Sequence, residues 1–216
     1  MHKSIKNLED INKELKLKIK EDSLPNIIAV SKTFSLSEIM PLVDYGHIHF
    51  GENKVQEAIA KWTEIKVKYP TIKLHLIGKL QTNKVKYAVK LFDYLHSVDN
   101  EKLAKKISDE QLKHEKKLKI FIQVNIGDEN QKSGVNQDGL EDFYSYCMKL
   151  NLNIIGLMCI PPINKDPKNL FKKLHDLNKK LNLKELSMGM SADYIEATKN
   201  FSTYLRIGSK IFGSRN

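Results

Sequence analysis

The first strand-like segment of the chain reads IIAVSK, residues 27–32, an apolar run that ends in an amine and passes directly into the polar turn TFS, residues 33–35. A lysine packs poorly at the end of a buried strand. It is a good nucleophile there, because an ammonium group that loses its hydration gives up its proton more readily and can then attack a carbonyl. The segment therefore predicts a strand at 27–32 and suggests Schiff-base chemistry at Lys32.

The same strand-then-helix order repeats along the chain without a linker, a low-complexity tract or a break in composition. It follows an N-terminal segment whose apolar residues are spaced as one face of an amphipathic helix. The predicted strands are 27–32, 47–51, 72–77, 93–97, 119–125, 153–159, 185–188 and 203–207. The predicted helices are 35–45, 53–68, 81–91, 100–116, 138–150, 167–182, 191–200 and a short one from 209, with N-terminal caps from Asp99, Asp138 and Ser191.

This order predicts an α/β fold in which parallel strands are joined by right-handed crossovers. Eight such units predict closure into a single (β/α)8 barrel of the TIM type, with the N-terminal helix as an addition. An open doubly wound sheet is the alternative, and the count of eight favours the barrel. At 216 residues the chain suits one domain over residues 1–216, somewhat below the roughly 250 residues usual for such barrels.

The composition is that of a soluble globular protein, with 41% hydrophobic and 29% charged residues. The longest nearly apolar stretch, 154–163, contains two prolines and is far shorter than the ~20 residues of a membrane helix, so we expect no membrane association. Cys147 and Cys159 have no metal-binding spacing. We expect them to stay reduced in a cytoplasmic protein.

The net charge of +10 raises the question of nucleic-acid binding. Of the 36 basic residues, only Arg206 and Arg215 are arginines, and the lysines are spread over all the predicted helices except 35–45. Base readout favours arginine with interleaved aromatics, whereas dispersed lysines give solubility and weak phosphate attraction. We therefore expect no specific nucleic-acid binding, and a basic RNA-associated protein remains a distant alternative.

Polar residues follow several of the predicted strands. In a TIM-type barrel, ligands bind at the carboxyl ends of the strands, so such residues are the functional candidates. Lys32 ends the first strand, Asn53 follows the second, and Asn125 ends the fifth. Arg206 lies in the eighth strand. All of them would surround one mouth of the barrel.

Two short segments near this mouth have the residues of a phosphate-binding loop. They are GMS at 189–191 and GS at 208–209, which follow the last two predicted strands. Barrels often hold a phosphate there, where glycines let the backbone approach and helix N-termini present N–H groups. Either segment by itself is explained as well by a tight turn with a capping serine. Their joint occurrence favours a phosphate site in which Ser191 and Ser209 add hydroxyl donors.

The chain also carries, in order, the motifs AVSK (29–32), FGEN (50–53) with VQE (55–57), HLIG (75–78) with LQTNK (80–84), QVN (123–125) with KSG (132–134), GLM (156–158), LSMGMS (186–191), and RIG (206–208) with IFG (211–213). Together they resemble the pyridoxal-phosphate homeostasis protein family. The resemblance covers almost the whole chain and does not depend on any single motif.

The resemblance implies an alanine-racemase-like, fold-type III barrel that holds pyridoxal 5'-phosphate (PLP) at its mouth. It implies that Lys32 forms a Schiff base with the cofactor, that Arg206 faces the pyridine nitrogen, and that Asn53 lies near the ring. The residues that it implies around the phosphate are Met190, Ser191, Gly208 and Ser209. Further neighbours of the cofactor that it suggests are His75, Asn83 and Asn125.

Two positions depart from the pattern of the family. Lys54 stands where many members carry an aromatic residue, so a ring contact at this position is in doubt. Lys79 stands where proline is frequent, and we expect it to alter only the third loop.

Arg206 bears on whether the protein is an enzyme. A carboxylate would keep the pyridine nitrogen protonated and make the ring a strong electron sink, whereas an arginine, always cationic, leaves it unprotonated. Few residues follow the eighth predicted strand, so we expect no second domain and a site that opens to solvent. We therefore predict a non-catalytic, monomeric protein that binds PLP and maintains vitamin B6 homeostasis as a carrier or buffer, with PLP-dependent apoenzymes as recipients. A minimal racemase-like PLP enzyme is the first alternative.

His47 and His49 form an H-x-H pair in the second predicted strand. A metal site needs such a pair together with further ligands, and the sequence offers no convergent third one. We therefore expect these histidines to pack within the barrel, and we expect no metal.

Overall fold

A computed structural model describes residues 1–19, 24–129 and 133–214 of the chain. The strands are β1 (Asn26–Val30), β2 (His49–Glu52), β3 (Lys73–Leu76), β4 (Tyr94–Val98), β5 (Lys119–Gln123), β6 (Ile154–Met158), β7 (Glu185–Ser187) and β8 (Tyr204–Ile207). The helices are α1 (Lys3–Lys18), α2 (Leu36–Asp44), α3 (Val55–Lys68), α4 (Val85–Leu91), α5 (Glu101–Lys113), α6 (Leu140–Lys149), α7 (Pro167–Lys180), α8 (Tyr194–Lys199) and α9 (Ser209–Phe212). Short 3-10 helices, Thr82–Lys84 and Gln137–Gly139, precede α4 and α6.

The eight strands form a closed barrel in chain order, and every neighbouring pair is parallel. Closure comes from β1, which pairs with β2 on one side and with β8 on the other. In this register Ile28 lies opposite Arg206, and Ala29 lies opposite Phe50. The predicted (β/α)8 barrel of the TIM type with an additional N-terminal helix is confirmed.

Two strands, β1 and β5, end two residues earlier than predicted. We predicted that β1 extends to Lys32, but it ends at Val30, and Lys32 lies in the turn that follows. The chain turns there because Thr33 adopts a left-handed conformation with φ of 69°, which no strand accommodates. Likewise β5 ends at Gln123 rather than at Asn125. A strand pattern read from apolar residues cannot locate the point where a loop departs from the sheet.

The three predicted helix caps are wrong by one or two positions. Asn100, and not Asp99, caps α5, since its side chain accepts a hydrogen bond from the Leu103 N–H. Asp138 lies inside a 3-10 helix, and α6 begins after Gly139. Ser191 does not cap α8, which begins after Asp193, so its hydroxyl is used elsewhere. Ser, Asp and Asn are all favoured at the N-cap of a helix, so the sequence does not distinguish between neighbouring candidates. The backbone geometry decides which of them caps the helix.

The core consists of two layers separated by the strands. The outer layer packs the outward-facing strand residues against the surrounding helices, as Phe50 does against Trp62. The barrel interior holds a smaller apolar cluster, composed of Ile28, Tyr94, Phe121, Met158 and Tyr204. It also holds polar side chains that are at most 4% exposed, namely His75, His96, Ser187 and Arg206. TIM barrels usually fill this space with branched aliphatic residues, so the polar interior is a distinctive feature of this chain.

The N-terminal helix completes the ring of helices where the eighth unit is short. α9 has only four residues, and α1 packs against both α9 and α2. Leu8, Ile11 and Leu15 form its buried face. Among the helices in the described parts of the chain, none combines the length and the apolar character needed to cross a membrane.

We predict that Ile11→Ala lowers the free energy of unfolding by about 2–5 kcal/mol, because it opens a cavity under α1. Leu17→Ala in the same helix is the matched control, since Leu17 is 85% exposed and its truncation should change stability by less than about 0.5 kcal/mol. Denaturant unfolding measures both. Equal changes in the free energy of unfolding would show that the buried face of α1 does not stabilise the barrel.

Candidate functional site

A cavity of about 600 Å³ lies at the carboxyl ends of the strands. All seven residues predicted to bind the cofactor line it: Lys32, Asn53, Met190, Ser191, Arg206, Gly208 and Ser209. A cavity of about 630 Å³ beside the loop after β5 has an acidic lining, and one of about 520 Å³ lies near the start of β1 and the loop before β7. Only the first of these three brings an amine, a guanidinium and glycine-containing loops together, so we regard it as the candidate site.

The loop after β1 holds Lys32 in place through the two residues that flank it. The Ser31 N–H donates to the Gly51 carbonyl at 2.9 Å, and the Ser31 carbonyl accepts from Lys61 Nζ at 3.0 Å. On the other side, the Thr33 N–H donates to Glu57 Oε1 at 2.6 Å. This bond stabilises the left-handed conformation of Thr33, which is unfavourable for a β-branched residue. Lys32 itself is half-buried and reaches the cavity.

A buried carboxylate lies behind this loop. Glu52 is fully buried, and its Oε1 accepts hydrogen bonds from Ser31 Oγ at 2.8 Å and from Trp62 Nε1 at 3.0 Å. Its Oε2 is buried and has no hydrogen-bond partner among the described residues. Burial raises the pKa of the Glu52 carboxyl, although Trp62, Lys61 and Ser31 all favour its charged form. The sequence motif FGEN contains Glu52, but nothing in the motif indicates that its carboxylate holds the backbone next to Lys32.

Arg206 lies at the base of the cavity with its guanidinium held by two neutral acceptors. Nη1 donates to Ser187 Oγ at 2.6 Å, and Nη2 donates to the Cys159 carbonyl at 2.8 Å. Burial lowers the pKa of Arg206, but a guanidinium stays charged in proteins. None of the ion pairs found in the described residues involves Arg206. Within the described part of the chain, a buried positive charge that forms no ion pair therefore borders the cavity.

The loops after β7 and β8 approach each other at one side of the cavity. Ser191 Oγ accepts a hydrogen bond from the Lys210 N–H at 3.3 Å, which joins the two loops. Gly189 is required here, because it has a φ of +91° and a Cβ at this position would lie 2.5 Å from the Cβ of Ala197. Gly208 and Ser209 complete this side of the cavity.

Asn53 is placed by close packing of two loops. A Cβ on Gly78 would lie 2.5 Å from the Asn53 carbonyl oxygen, so only glycine allows the third loop to approach so closely. Lys79 also lines the cavity, which corrects the expectation that this residue alters only the loop. Sequence reasoning missed Gln123 and Ser133, which line the cavity as well. Gln123 is the last residue of β5, so a correct end for that strand would have identified it.

The three further neighbours suggested by the resemblance do not line the cavity. Asn125 borders the acidic cavity instead, and its side chain holds the following loop through the backbone of Glu129. Asn83 is exposed in the 3-10 helix before α4. His75 is fully buried inside the barrel, below the cavity. For Asn125 the reason is that position after a strand does not determine the direction of a side chain.

The H-x-H pair is engaged in hydrogen bonds within the protein. A ring nitrogen of His47, Nε2, lies 2.9 Å from the His49 carbonyl oxygen, and His49 is hydrogen-bonded to His75. Across residues 1–19, 24–129 and 133–214, no three His, Cys, Asp or Glu side chains are grouped so as to hold a metal ion.

Comparison with known proteins agrees with this geometry. A family model described as the alanine racemase N-terminal domain matches residues 7–216. A protein of Aquifex aeolicus named pyridoxal phosphate homeostasis protein is 34% identical over 218 residues, which cover 96% of this chain and 95% of that protein. The chain belongs to the pyridoxal phosphate homeostasis protein family. A family member of the same name from Vibrio cholerae is 37% identical, over 88% of this chain and 85% of its own.

Solved structures show the same fold. The structure of PipY from Synechococcus elongatus with PLP bound has a TM-score of 0.87 and 32% sequence identity, and the match covers 97% of this chain and 100% of that one. An alanine racemase from Clostridium difficile 630 has a TM-score of 0.73 at 15% identity, over 99% of this chain and 57% of that one. At this low identity the second likeness concerns the fold alone. The family resemblance seen in the sequence motifs is confirmed.

We predict that Glu52→Ala destabilises the protein by about 3 kcal/mol, because it leaves the Trp62 N–H without its acceptor and weakens the hold on Ser31. Glu52→Gln keeps the Oε1 acceptor and should stay within about 1 kcal/mol of the wild type at neutral pH. Unfolding by denaturant measures both.

The pH dependence of stability gives a second measurement on Glu52. Its pKa is raised in the folded protein, so the folded state binds this proton more tightly than the unfolded state does. The Glu52 contribution to stability therefore falls as pH rises from the ordinary glutamate pKa through the raised one, and Glu52→Gln should lack this fall. Glu64→Gln, an exposed change on α3, is the control and should keep it. A wild-type profile identical to that of Glu52→Gln would contradict the raised pKa.

Proposed function

We propose that this protein binds PLP covalently through Lys32 and maintains the cellular level of the cofactor as a carrier or buffer. The observation that supports this is the convergence of Lys32, Arg206 and the two loops after β7 and β8 on one cavity. The relatives named pyridoxal phosphate homeostasis proteins and the PLP-bound structure of PipY support the same cofactor.

The residues present fit the parts of this cofactor. The amine of Lys32 condenses with the aldehyde to give a Schiff base and releases water, and the reverse reaction frees the cofactor. Ser191 and Ser209 supply hydroxyl groups for the phosphate, and Met190 and Gly208 line the same side of the cavity. Asn53 lies on the side of the cavity formed by the loops after β2 and β3 and would contact the ring.

Arg206 supports a role in holding the cofactor rather than in turnover. Its guanidinium has only donors, so it leaves the pyridine nitrogen unprotonated, and the ring then withdraws electrons weakly. Among the described residues Arg206 forms no ion pair with a carboxylate, and its two hydrogen-bond acceptors, Ser187 Oγ and the Cys159 carbonyl, are neutral. A carbanion next to the cofactor would therefore gain little stabilisation.

The wider setting follows from this role. We propose a cytoplasmic, monomeric protein in which one barrel domain spans residues 1–216 and transfers PLP to apoenzymes that depend on it. Reversible attachment suits such transfer, because an imine that water can reach exchanges readily. Specific nucleic-acid binding and a metal play no part in this proposal.

We predict that Lys32→Ala abolishes covalent attachment of PLP. Wild-type protein incubated with PLP and then reduced with borohydride should carry the cofactor on the peptide that contains Lys32, as measured by absorbance and peptide mass spectrometry. Lys79→Ala is the matched control, because Lys79 lines the same cavity and should not be needed. If Lys32→Ala were labelled at the same level, Lys32 would not be the residue that attaches PLP. The candidates would then be Lys84 and Lys132, of which Lys132 lies outside the described residues.

We predict that the PLP-loaded protein does not exchange the α-protons of amino acids at a steady rate. Single L-amino acids in deuterated water, followed by proton NMR and chiral chromatography, test this expectation. Steady exchange with net racemisation would support the alternative of a minimal racemase-like enzyme.

Retained RNA after purification in high salt, without cofactor absorbance after PLP is added, would support the RNA-associated alternative.

A further inference from the structure

A row of hydrogen-bonded side chains runs through the interior of the barrel and ends at Arg206. His49 Nδ1 lies 2.9 Å from His75 Nε2, and His75 Nδ1 lies 2.9 Å from His96 Nε2. His96 Nδ1 lies 2.8 Å from Ser187 Oγ, which accepts the 2.6 Å hydrogen bond from Arg206 Nη1. We call these five residues the histidine row.

The histidine row connects the two ends of the barrel. His49 is the first residue of β2 and is half-buried, so it lies at the end opposite the cavity. His75 and His96 are fully buried, whereas Arg206 lines the cavity. Aromatic rings hold the two buried imidazoles in place: Tyr94 stacks on His75 at 4.1 Å and Phe121 stacks on His96 at 4.4 Å.

The chemistry of Arg206 determines the direction of these hydrogen bonds. A guanidinium has no acceptor, so Ser187 Oγ must accept from Arg206 and direct its own hydrogen elsewhere. Among the described residues, His96 Nδ1 is the acceptor within reach. His96 then carries its proton on Nε2 and donates to His75 Nδ1, and His75 in turn donates from Nε2 to His49. The opposite direction would leave the buried hydroxyl hydrogen of Ser187 without an acceptor, which is unfavourable.

The electrostatic surroundings favour neutral imidazoles, as this direction requires. Burial lowers the pKa of His75 and of His96 well below the ordinary value, and the charge of Arg206 lowers that of His96 further. Burial also lowers the pKa of His49 to about 4. A neutral imidazole offers one donor and one acceptor, so each histidine passes the hydrogen-bond direction to the next.

We propose that Ser187, His96 and His75 are positioning residues that direct the Arg206 guanidinium into the cofactor cavity, and that binding at the cavity is coupled through them to His49 at the opposite end of the barrel. The row does not deliver a proton to Arg206, because that guanidinium does not titrate in proteins. It acts by committing the Ser187 hydrogen to His96, which leaves a lone pair of Ser187 aimed at Nη1. The part that concerns the cofactor rests on the proposed function, whereas the direction of the row does not.

Nitrogen NMR of the cofactor-free protein, labelled with ¹⁵N at histidine, tests the direction of the row directly. At neutral pH we expect His75, His96 and His49 to be neutral, with Nε2 protonated and Nδ1 unprotonated. A protonated Nδ1 on His96, or a cationic ring at His75 or His96, would overturn the inference. This measurement requires no cofactor, so it remains decisive even if PLP does not bind.

Substitutions of His96 test positioning. His96→Leu should weaken the affinity for PLP about fivefold to tenfold, the loss of roughly one hydrogen bond, and should shift the absorbance maximum of the bound cofactor. His96→Gln offers both an acceptor and a donor, and should recover most of the affinity and the wild-type spectrum. Ile28→Val, in the apolar cluster of the same interior, is the packing control and should change neither. If His96→Leu and Ile28→Val lost the same amount of PLP affinity, His96 would contribute only packing, and its positioning role would be refuted.

The coupling to His49 has its own measurement. Addition of PLP to the labelled wild type should shift the nitrogen resonances of His96, His75 and His49. In His75→Leu the row is broken beyond His96, so PLP should still shift His96 but no longer His49. PLP binding without any shift at His96 would refute the coupling, whereas absence of PLP binding in the wild type would refute the proposed function instead.

Discussion

The pairing of β1 with β8 is the contact on which the candidate site depends. These strands come from the two ends of the chain, and their register places Ile28 opposite Arg206. Closure brings Lys32, just after β1, to the same cavity as the loop that follows β8. Because parallel strands present their carboxyl ends at one end of the barrel, a lysine from the first unit and an arginine from the last can act on one small molecule. An open sheet would place these strands at different positions along its edge.

The interior of the barrel reconciles a buried charge with a stable fold. A buried guanidinium is unfavourable unless its donors find acceptors. In this protein Arg206 uses a hydroxyl and a backbone carbonyl, and the histidine row satisfies the hydroxyl in turn. Neutral acceptors stabilise the guanidinium without neutralising it, so its charge remains available to a ligand. The buried Glu52 behind the Lys32 loop serves a different purpose, because it binds Ser31 and Trp62 and fixes the backbone.

Strain in the loop after β1 also has a structural reason. Thr33 is a β-branched residue in a left-handed conformation, an arrangement that is unfavourable by about 1–3 kcal/mol. Its N–H bond to Glu57 and the anchoring of Ser31 offset that strain. The sharp turn that results directs Lys32 toward the cavity instead of letting the strand continue. Strain of this kind persists only where several surrounding contacts hold the backbone in its conformation. In this protein those contacts lie next to Lys32, the candidate nucleophile.

Apolar periodicity in the sequence determined the order of the eight strands and the N-terminal helix, because it is a property of neighbouring residues. The seven residues that line the cavity were implied by the resemblance of short sequence motifs to a known family. Tertiary structure decided what depends on direction and distance. It ended β5 at Gln123 and so turned Asn125 away from the cavity, and it selected Asn100 over Asp99 as the cap of α5. It also joined His96 to Ser187, 91 residues later in the chain. Such a hydrogen bond leaves no trace in local composition, since it exists only after the barrel closes.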